Sequence, residues 1–460
     1  MAFNRRAFVI GTSLGALGAA TARAASSPIA RGFNPQARTS SHAVTISVRD
    51  MGAVGDGSTR DTLAFQQALD RCAMLGGGEV VVPAGDYLVG AIAIGPATTL
   101  RLENGATVTG SPDLADYPVR QVRWEGKFVK GYIGLIRAEY ADRIAITGGG
   151  RLVGSPAITT RVASKTGMRN PALIELIGCD GVDIGGIVTQ QNAMWSIHPL
   201  FCRNLRFHDM VVNGGADGID VDSCEHVVIE RCSFDTHDDC IAIKSGRGEE
   251  GNRIARPTLD VRISDCTFRD HRWACIAIGS ETSGGVRGVR VERCKVLGAG
   301  THAVYIKSRP GRGAFIENVA MTDLDVAGTT DGFLRFNFTG SGKHDENPVP
   351  GLAGIPTVAG FSFTNIRVHD VAVLVDGAGN NPEKPLDGLT LADISGTARA
   401  GIRLAHVRHA AIRNIHLDGV SGPLLQTFDV TGTGIADAQP LAPPEAPGPV
   451  AAPLRPYVLR

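Results

Sequence analysis

The most regular pattern in this chain is a short alternation of apolar and other residues that recurs in four segments with the same phase. Such an alternation is typical of a β-strand whose side chains point inward and outward in turn. Cys179, Cys202 and Cys224 mark coil starts 23 and 22 residues apart, which predicts a solenoid whose coils bury apolar faces by stacking. The inward pairs are Ile219 and Val221, Ile241 and Ile243, Ile276 and Ile278, and Val304 and Ile306.

The residues between these inward positions should form an exposed column along the outside of the solenoid. That column reads Asp220, Asp222, Ala242, Lys244, Ala277, Gly279, Tyr305 and Lys307. Asp217, Asp238 and Asp239 lie just upstream in the same register. Carboxylates and ammonium groups on one exposed strip of an apolar scaffold indicate a functional surface.

The rest of the chain predicts an all-β fold with one helix at its start. Short strands separated by Gly, Asn and Asp continue from about residue 91 to about residue 419, and their short turns predict parallel stacking at about 4.8 Å per coil. Residues 61–75 carry apolar side chains near helical spacing and are followed by three glycines. We expect this helix to cover the open edge of the first coil.

Composition along the chain predicts four segments. They are a twin-arginine export signal at 1–24, a polar linker at 25–43, a single parallel β-helix domain with the candidate catalytic residues at 44–435, and a Pro-rich tail at 436–460. The signal is indicated by Arg5 and Arg6 before Phe8, a mild apolar run, and the small-residue site at 22–24. It predicts a periplasmic or secreted protein that is free of the membrane once the signal is removed.

Charge and cysteine content indicate which partners and which cross-links to expect. The 46 basic and 46 acidic residues balance, so nothing suggests a nucleic-acid partner. Nine cysteines are an odd number, and Cys232, Cys266 and Cys294 occupy the same phase in successive coils, which predicts an inward ladder of buried thiols. The pattern leaves open whether one pair is bridged. We expect a monomer.

The three upstream aspartates carry the predicted chemistry. Asp217 and Asp238 are 21 residues apart, and a bend at His237-Asp238-Asp239 would bring all three carboxyl groups together. Crowding raises at least one carboxyl pKa, and a protonated carboxyl beside an ionised one supplies a general acid and a general base. A separation of roughly 6.5 to 9.5 Å would suit inverting glycoside hydrolysis. Nearby cations predict an anionic substrate. They are Lys244, Lys307, Arg309 and Arg312.

Residues 169–313 resemble the polygalacturonases of glycoside hydrolase family 28, and the segments VRDMGAVGDGSTRDT, VVVPAGDYLVG and IAITGGGRLVG extend the likeness over most of 47–420. The family's N-T-D-G motif corresponds to Gly215-Ala216-Asp217-Gly218, and its G-D-D motif corresponds to His237-Asp238-Asp239. The resemblance implies a right-handed parallel β-helix that hydrolyses galacturonan by inversion. It also implies that Asp238 is the general acid and that Asp217 and Asp239 hold the water.

Two family motifs are altered. The histidine of G-H-G falls at Trp273 or Ala274, with His271 nearby as a candidate replacement. The motif R-I-K reads Tyr305-Ile306-Lys307, so an aromatic ring suited to stacking on a pyranose replaces the arginine that would clamp a substrate carboxylate. The candidates for a replacement arginine in the next turn are Arg309 and Arg312. Polygalacturonan and a rhamnogalacturonan or other branched pectic chain both remain possible substrates.

Two other functional classes stay open. One is a non-catalytic carbohydrate-binding solenoid whose groove has lost the family's Asn, His and Arg. The other is a pectate lyase on the same architecture, which would hold Ca²⁺ with several carboxylates. We expect no metal and no cofactor, and we predict a pectic polysaccharide or oligogalacturonide as the partner.

Overall fold

The structure is a computed structural model that describes residues 44–159, 165, 167–448 and 450. The predicted export signal and polar linker at 1–43 lie outside the described residues. Among the described residues, no helix is both long and apolar enough to cross a lipid bilayer.

The elements follow one another in this order. The first part of the chain contains β1 (Val44–Ser47), β2 (Asp56–Arg60), α1 (Thr62–Met74), β3 (Gly78–Val82), β4 (Gly85–Val89), β5 (Ile92–Ala93), β6 (Thr98–Leu102), β7 (Ala106–Gly110), β8 (Val119–Trp124), β9 (Lys127–Tyr132), β10 (Ile136–Glu139), β11 (Ile144–Gly148) and β12 (Arg151–Val153). The middle part contains β13 (Ile174–Ile177), β14 (Asp180–Gly185), β15 (Val188–Gln190), β16 (Ile197–Leu200), β17 (Arg203–His208), β18 (Val211–Gly214), β19 (Ile219–Asp222), β20 (Glu225–Glu230), β21 (Ser233–Thr236), β22 (Ile241–Lys244), α2 (Gly248–Ile254), β23 (Thr258–Ser264), β24 (Thr267–Asp270) and β25 (Ile276–Ile278). The last part contains β26 (Val286–Gly298), β27 (His302–Lys307), β28 (Phe315–Ala327), β29 (Gly332–Asn337), β30 (Thr357–Gly379), β31 (Leu386–Asp418), β32 (Leu425–Thr433) and β33 (Gln439–Pro440). Short 3-10 helices span Val48–Met51, Leu114–Asp116 and Gly351–Gly354.

Parallel pairing arranges these strands on three faces of a β-helix. Face A begins with β1, β3, β6, β11, β14, β17, β20 and β23. Face B begins with β2, β4, β7, β12, β15, β18, β21 and β24. Face C contains β5, β10, β13, β16, β19, β22, β25, β27 and β29. From β26 onward single strands bend from one face into the next, and β30 and β31 pair along all three. The predicted parallel β-helix is therefore confirmed.

The inward pairs predicted from the alternation form the core behind face C. Ile219 is in register with Ile241, and Ile241 with Ile276, so apolar side chains stack directly from coil to coil. All eight predicted inward residues are buried. Because a slip of one residue would send every one of these side chains to the outside, burial of this face fixes the register of the whole stack.

The predicted starting helix is also present, as α1. Phe65, Leu69 and Cys72 on one side of α1 are buried against the first coil. The carboxylate of Asp61 accepts hydrogen bonds from the backbone N–H groups of Val54 and Gly55, at 2.7 and 3.0 Å, and makes none to the first turn of α1.

All nine cysteines lie in the described residues, and all are buried free thiols. The backbone N–H of Cys179 donates to Sγ of Cys202 in the next coil at 3.3 Å. The N–H of Cys202 in turn donates to Sγ of Cys224 at 3.4 Å. The predicted ladder is confirmed, and no pair within it is bridged.

One antiparallel hairpin, β8–β9, interrupts the stack between β7 and β10. Its turn residues Glu125 and Gly126 have φ of 45° and 77°, and positive φ at both central positions marks the tight turn that suits a twisted hairpin. A side chain at 126 would stand 2.7 Å from the Cβ of Arg247, so the close approach of the tip to that residue also requires glycine. Phe128 packs on Phe201, which places the hairpin over the outside of face C.

The Pro-rich segment predicted as a tail from 436 begins with β33, which pairs in parallel with β32.

Candidate active site

The three predicted catalytic aspartates lie in turns that lead into neighbouring strands of face C. Asp217 precedes β19, and Asp238 and Asp239 both precede β22, so the chain bends where the sequence required it. The N–H of Gly218 donates to the carbonyl of Asp239 at 3.0 Å, which joins the two turns. All three aspartates line one groove of about 470 Å³.

The groove is formed by side chains from distant parts of the chain that the coils bring together. Besides the three aspartates its lining includes Trp124, Glu125, Trp195, Lys244, Trp273, Glu281, Tyr305, Lys307 and residues 341–343. Within the described part of the chain, no group of three or more His, Cys, Asp or Glu side chains could hold a metal ion.

Two lysines neutralise two of the three acids. The Nζ of Lys244 lies 3.1 Å from Oδ2 of Asp217, and the Nζ of Lys307 lies 3.0 Å from Oδ2 of Asp239. Both pairs are largely buried, so each lysine stabilises a carboxylate that would be costly to ionise alone.

Asp238 lacks such a partner. Among the described residues no ammonium or guanidinium group pairs with it, and it accepts one hydrogen bond, from the N–H of Asp239 at 3.0 Å. Burial, together with the negative charges of Asp217 and Asp239, raises the pKa of Asp238 to about 8. Burial also raises the pKa of Asp217, and Lys244 opposes that rise. Asp238 therefore carries a proton at neutral pH next to lysine-paired carboxylates.

The predicted exposed column is wrong for its first six members, which are all buried: Asp220, Asp222, Ala242, Lys244, Ala277 and Gly279. Asp220 and Asp222 are 0% and 2% exposed because the hairpin β8–β9 covers face C at this level. Arg123 of the hairpin donates from Nε to Oδ2 of Asp222 at 3.0 Å, and Lys244 donates to Asp220 at 2.6 Å. These aspartates anchor the hairpin and Lys244 and do not face solvent.

The floor of face C changes from covered to open along the stack. Its outward residues before the acids, Glu175, His198 and Asp220, are at most 1% exposed. Arg335, beyond the acids, has a side chain that is 37% exposed. At the covered end Glu125 bridges to Lys343 at 2.7 Å and to Arg247 at 3.3 Å. The groove is consequently closed toward the earlier coils and open toward the later ones.

Three predicted substrate-binding residues do not line the groove. Arg312 is 0% exposed and pairs with Asp345 at 3.3 Å. Arg309 donates to the carbonyl of Gly342 at 2.6 Å and contacts the ring of His344. His271 reaches Asp235 at 2.7 Å and stacks on the ring of His237, outside the groove. Each has a protein partner that the sequence pattern could not identify.

The other three predicted binding residues, Lys244, Lys307 and Tyr305, do line the groove. The hydroxyl of Tyr305 lies 3.3 Å from Oγ of Ser341, and Nδ2 of Asn337 donates to it at 3.4 Å, so the ring is fixed at the groove's edge. The ammonium of Lys307 lies 5.2 Å from the centroid of the Tyr305 ring. Stacking of this ring on a sugar would therefore compete with the contact to Lys307.

Trp273 lies where the resemblance places the family's histidine. It lines the groove and is 40% exposed, while the N–H of the following Ala274 donates to Oδ1 of Asp239 at 3.3 Å. The backbone thus supports the acid, and the indole offers an apolar surface to a ligand.

Sequence reasoning missed Trp124, Glu125, Glu281 and Lys343 in the lining. Burial alone would raise the pKa of Glu281, but Lys244, Arg312 and Lys307 lower it to about 2, so it stays ionised. No local sequence pattern predicts these residues in the groove, because each reaches it from a loop or hairpin outside the repeat.

A carboxylic acid that keeps its proton beside paired carboxylates, in a groove of about 470 Å³, defines a site suited to glycoside hydrolysis. The sequence comparison agrees, since the model of the glycosyl hydrolases family 28 matches residues 72–334. The chain belongs to this family, and it is a glycosidase.

Two relatives and one solved structure illustrate the likeness. The Probable polygalacturonase of Vitis vinifera is 29% identical over 77% of this chain and 75% of its own length. The Exo-poly-alpha-D-galacturonosidase of Dickeya chrysanthemi is 24% identical over 76% of this chain and 65% of its own. The crystal structure of an exopolygalacturonase from Thermotoga maritima superposes with a TM-score of 0.71 at 24% identity, covering 82% of this chain and 92% of that one. This superposition confirms the predicted right-handed β-helix.

Proposed function

We propose that the protein is an exported hydrolase that cleaves α-galacturonosidic bonds of a pectic polysaccharide by an inverting mechanism. The observation that carries the proposal is the contrast within the acid cluster. Asp238 has no cation partner in the described part of the chain and a pKa of about 8, whereas Asp217 and Asp239 are paired with lysines. The names of the relatives, a polygalacturonase and an exo-galacturonosidase, support galacturonan as the substrate.

In this mechanism Asp238 donates its proton to the glycosidic oxygen as the C–O bond breaks and the bonding electrons move to that oxygen. A water molecule attacks the anomeric carbon from the opposite face and gives its proton to Asp217 or Asp239. The protonated base then releases its proton to solvent, and solvent returns a proton to Asp238. The ammonium groups of Lys244 and Lys307 lie 3.1 and 3.0 Å from these two carboxylates, and their positive charges favour the negative charge on each.

The closed end of the groove supports attack near a chain terminus. A polysaccharide lying on face C cannot continue past Glu125, because the hairpin covers the floor of the earlier coils. We therefore expect short products from the start of the reaction. The test follows viscosity and reducing ends together: slow viscosity loss per bond cleaved supports the proposal, and a steep early drop, typical of internal cleavage, contradicts it.

Export rests on the twin-arginine pattern at residues 5 and 6. Fractionation of cells that produce the full chain tests it. The wild type should reach the periplasm or the medium, and a variant with both arginines changed to lysine should stay inside.

The catalytic assignment is tested with reducing-sugar release from polygalacturonate and rhamnogalacturonan by the wild type, Asp238→Asn and Asp235→Asn. Asp235 is a matched control because it lies on β21, three residues before Asp238, and binds His271 outside the groove. We expect activity in the wild type and the control and its loss in Asp238→Asn. Inactivity of all three would favour the carbohydrate-binding solenoid. Chelator-sensitive release of unsaturated, ultraviolet-absorbing products would favour the lyase.

A further inference from the structure

The three lysines that line the groove are already paired with carboxylates of the protein. Lys244 and Lys307 are paired with the catalytic acids, and Lys343 is 2.7 Å from Glu125. Arg309 and Arg312, the expected substitutes for the family's clamping arginine, are turned toward other partners. Of these five residues only Lys343 has a largely exposed side chain, at 66%, and it lies at the covered end of the groove. A substrate carboxylate on the open side therefore needs a receptor that these five residues do not provide.

Arg335 has the properties of that receptor. It lies on β29 in direct register with Tyr305, one coil beyond it, on the open part of face C. Its closest ionic contact is loose, with Nε at 3.5 Å from Oδ2 of Asp376. Among the described residues no hydrogen-bond acceptor engages its two terminal nitrogens. The forked donors that suit a carboxylate are therefore available to a ligand.

Tyr305 contacts this guanidinium on the open side of the acids. The carbon at the centre of the guanidinium lies 5.3 Å from the Tyr305 ring centroid, and Lys307 lies 5.2 Å from the same centroid. Lys307 in turn contacts Asp239 at 3.0 Å. A continuous chain of contacts therefore runs from the acid through Lys307 and Tyr305 to Arg335. The strand of Arg335 lies one coil beyond that of Tyr305 and three coils, about 14 Å along the stack, beyond the strand that follows Asp239.

We propose that Arg335 binds the carboxylate of a uronate on the open side of the acids, beyond Tyr305, and that Tyr305 is the positioning residue that holds Arg335 there. The inference rests on the proposed function and deepens it by assigning an ionised uronate to the open side of the acids. The half-exposed pair with Asp376 opposes binding little, because such pairs are worth about 0 to 1 kcal/mol. A bidentate bond from arginine to a substrate carboxylate is stronger.

The test compares trigalacturonate with its fully methyl-esterified form as substrates of the wild type, Arg335→Ala, Arg335→Lys and Arg367→Ala. Arg367 is an exposed arginine on face B and serves as the matched control. We expect Arg335→Ala to raise KM for trigalacturonate about 10- to 100-fold, as for loss of a hydrogen bond to a charged group. It should leave kcat/KM for the ester within about twofold, which also shows that the variant is folded. Arg335→Lys should recover part of the loss.

Equal KM values of Arg335→Ala and Arg367→Ala for trigalacturonate would overturn the inference.

Tyr305 is tested in the same assay. Tyr305→Ala should reproduce the selective rise in KM, and Tyr305→Phe should retain most affinity because the ring remains. If both variants leave KM unchanged, Tyr305 does not position Arg335.

A binding measurement separates this inference from the proposed function. All three tryptophans of the chain, at 124, 195 and 273, line the groove, so intrinsic fluorescence reports on occupancy. If the wild type cleaves neither substrate, trigalacturonate is titrated into Asp238→Asn and into Asp238→Asn with Arg335→Ala. At least tenfold weaker binding by the double variant supports the receptor role even then, and equal binding refutes it.

Discussion

Replacing Asp238 by Asn should abolish catalysis and also change how stability depends on pH. The pKa of Asp238 rises from an ordinary 3.8 to about 8 in the folded protein, because burial and the charges of Asp217 and Asp239 disfavour its ionised form. The folded state thus holds this proton more tightly than the unfolded chain, so stability falls as pH rises from about 4 to about 8. Each pKa unit is worth about 1.4 kcal/mol, so the ionised carboxylate destabilises the fold by up to about 6 kcal/mol above pH 8.

Asparagine keeps the shape of the side chain without this penalty. We expect wild type and Asp238→Asn to unfold at similar temperatures near pH 4 and the variant to become progressively more stable up to pH 8, as measured by thermal unfolding across this range. The variant should lose about 10² to 10⁴ in kcat, the usual contribution of a general acid, and the wild-type rate should decline above about pH 8. A stability difference that does not change with pH would refute the claim that Asp238 is held protonated.

Two further substitutions test the contacts around the acids. Lys244→Met should shift the acidic limb of the pH–rate profile to higher pH, because Lys244 lowers the pKa of Asp217. An unmoved limb would exclude Asp217 as the base. Arg123→Met should cost about 3 to 5 kcal/mol of stability by leaving Asp222 buried without its partner. Arg231→Met, which breaks surface pairs with Asp209 and Glu230, should cost no more than about 1 kcal/mol for each pair. A loss equal to that of Arg123→Met in thermal unfolding would contradict the burial argument.

The register of the coils and the meeting of the acids could be predicted because both follow from local repetition. Alternation fixes which side chains point inward, and stacking then brings Asp217 next to Asp238 although they are 21 residues apart. Arg335 could have been found in the same way, since GFLRFN repeats the phase of HAVYIK and places Arg335 over Tyr305.

The hairpin and the partners of the charges could not be predicted, because contacts between segments far apart in the chain determine both. Val119–Trp124 is as short as a coil strand and mixes apolar and polar residues, and nothing local shows that it turns back on Lys127–Tyr132. Arg312 was expected in the groove, but Asp345, 33 residues later, binds it instead. Asp222 was expected in solvent, but Arg123, 99 residues earlier, covers it.

The central claim is that Asp238 protonates the leaving oxygen while water attacks from the opposite face. Time-resolved proton NMR of an oligogalacturonide during hydrolysis by the wild type tests this most directly, because it shows which anomer appears before mutarotation. The account predicts that the α-linked substrate first releases the β-anomer. Initial release of the α-anomer, or of an unsaturated product, would contradict it.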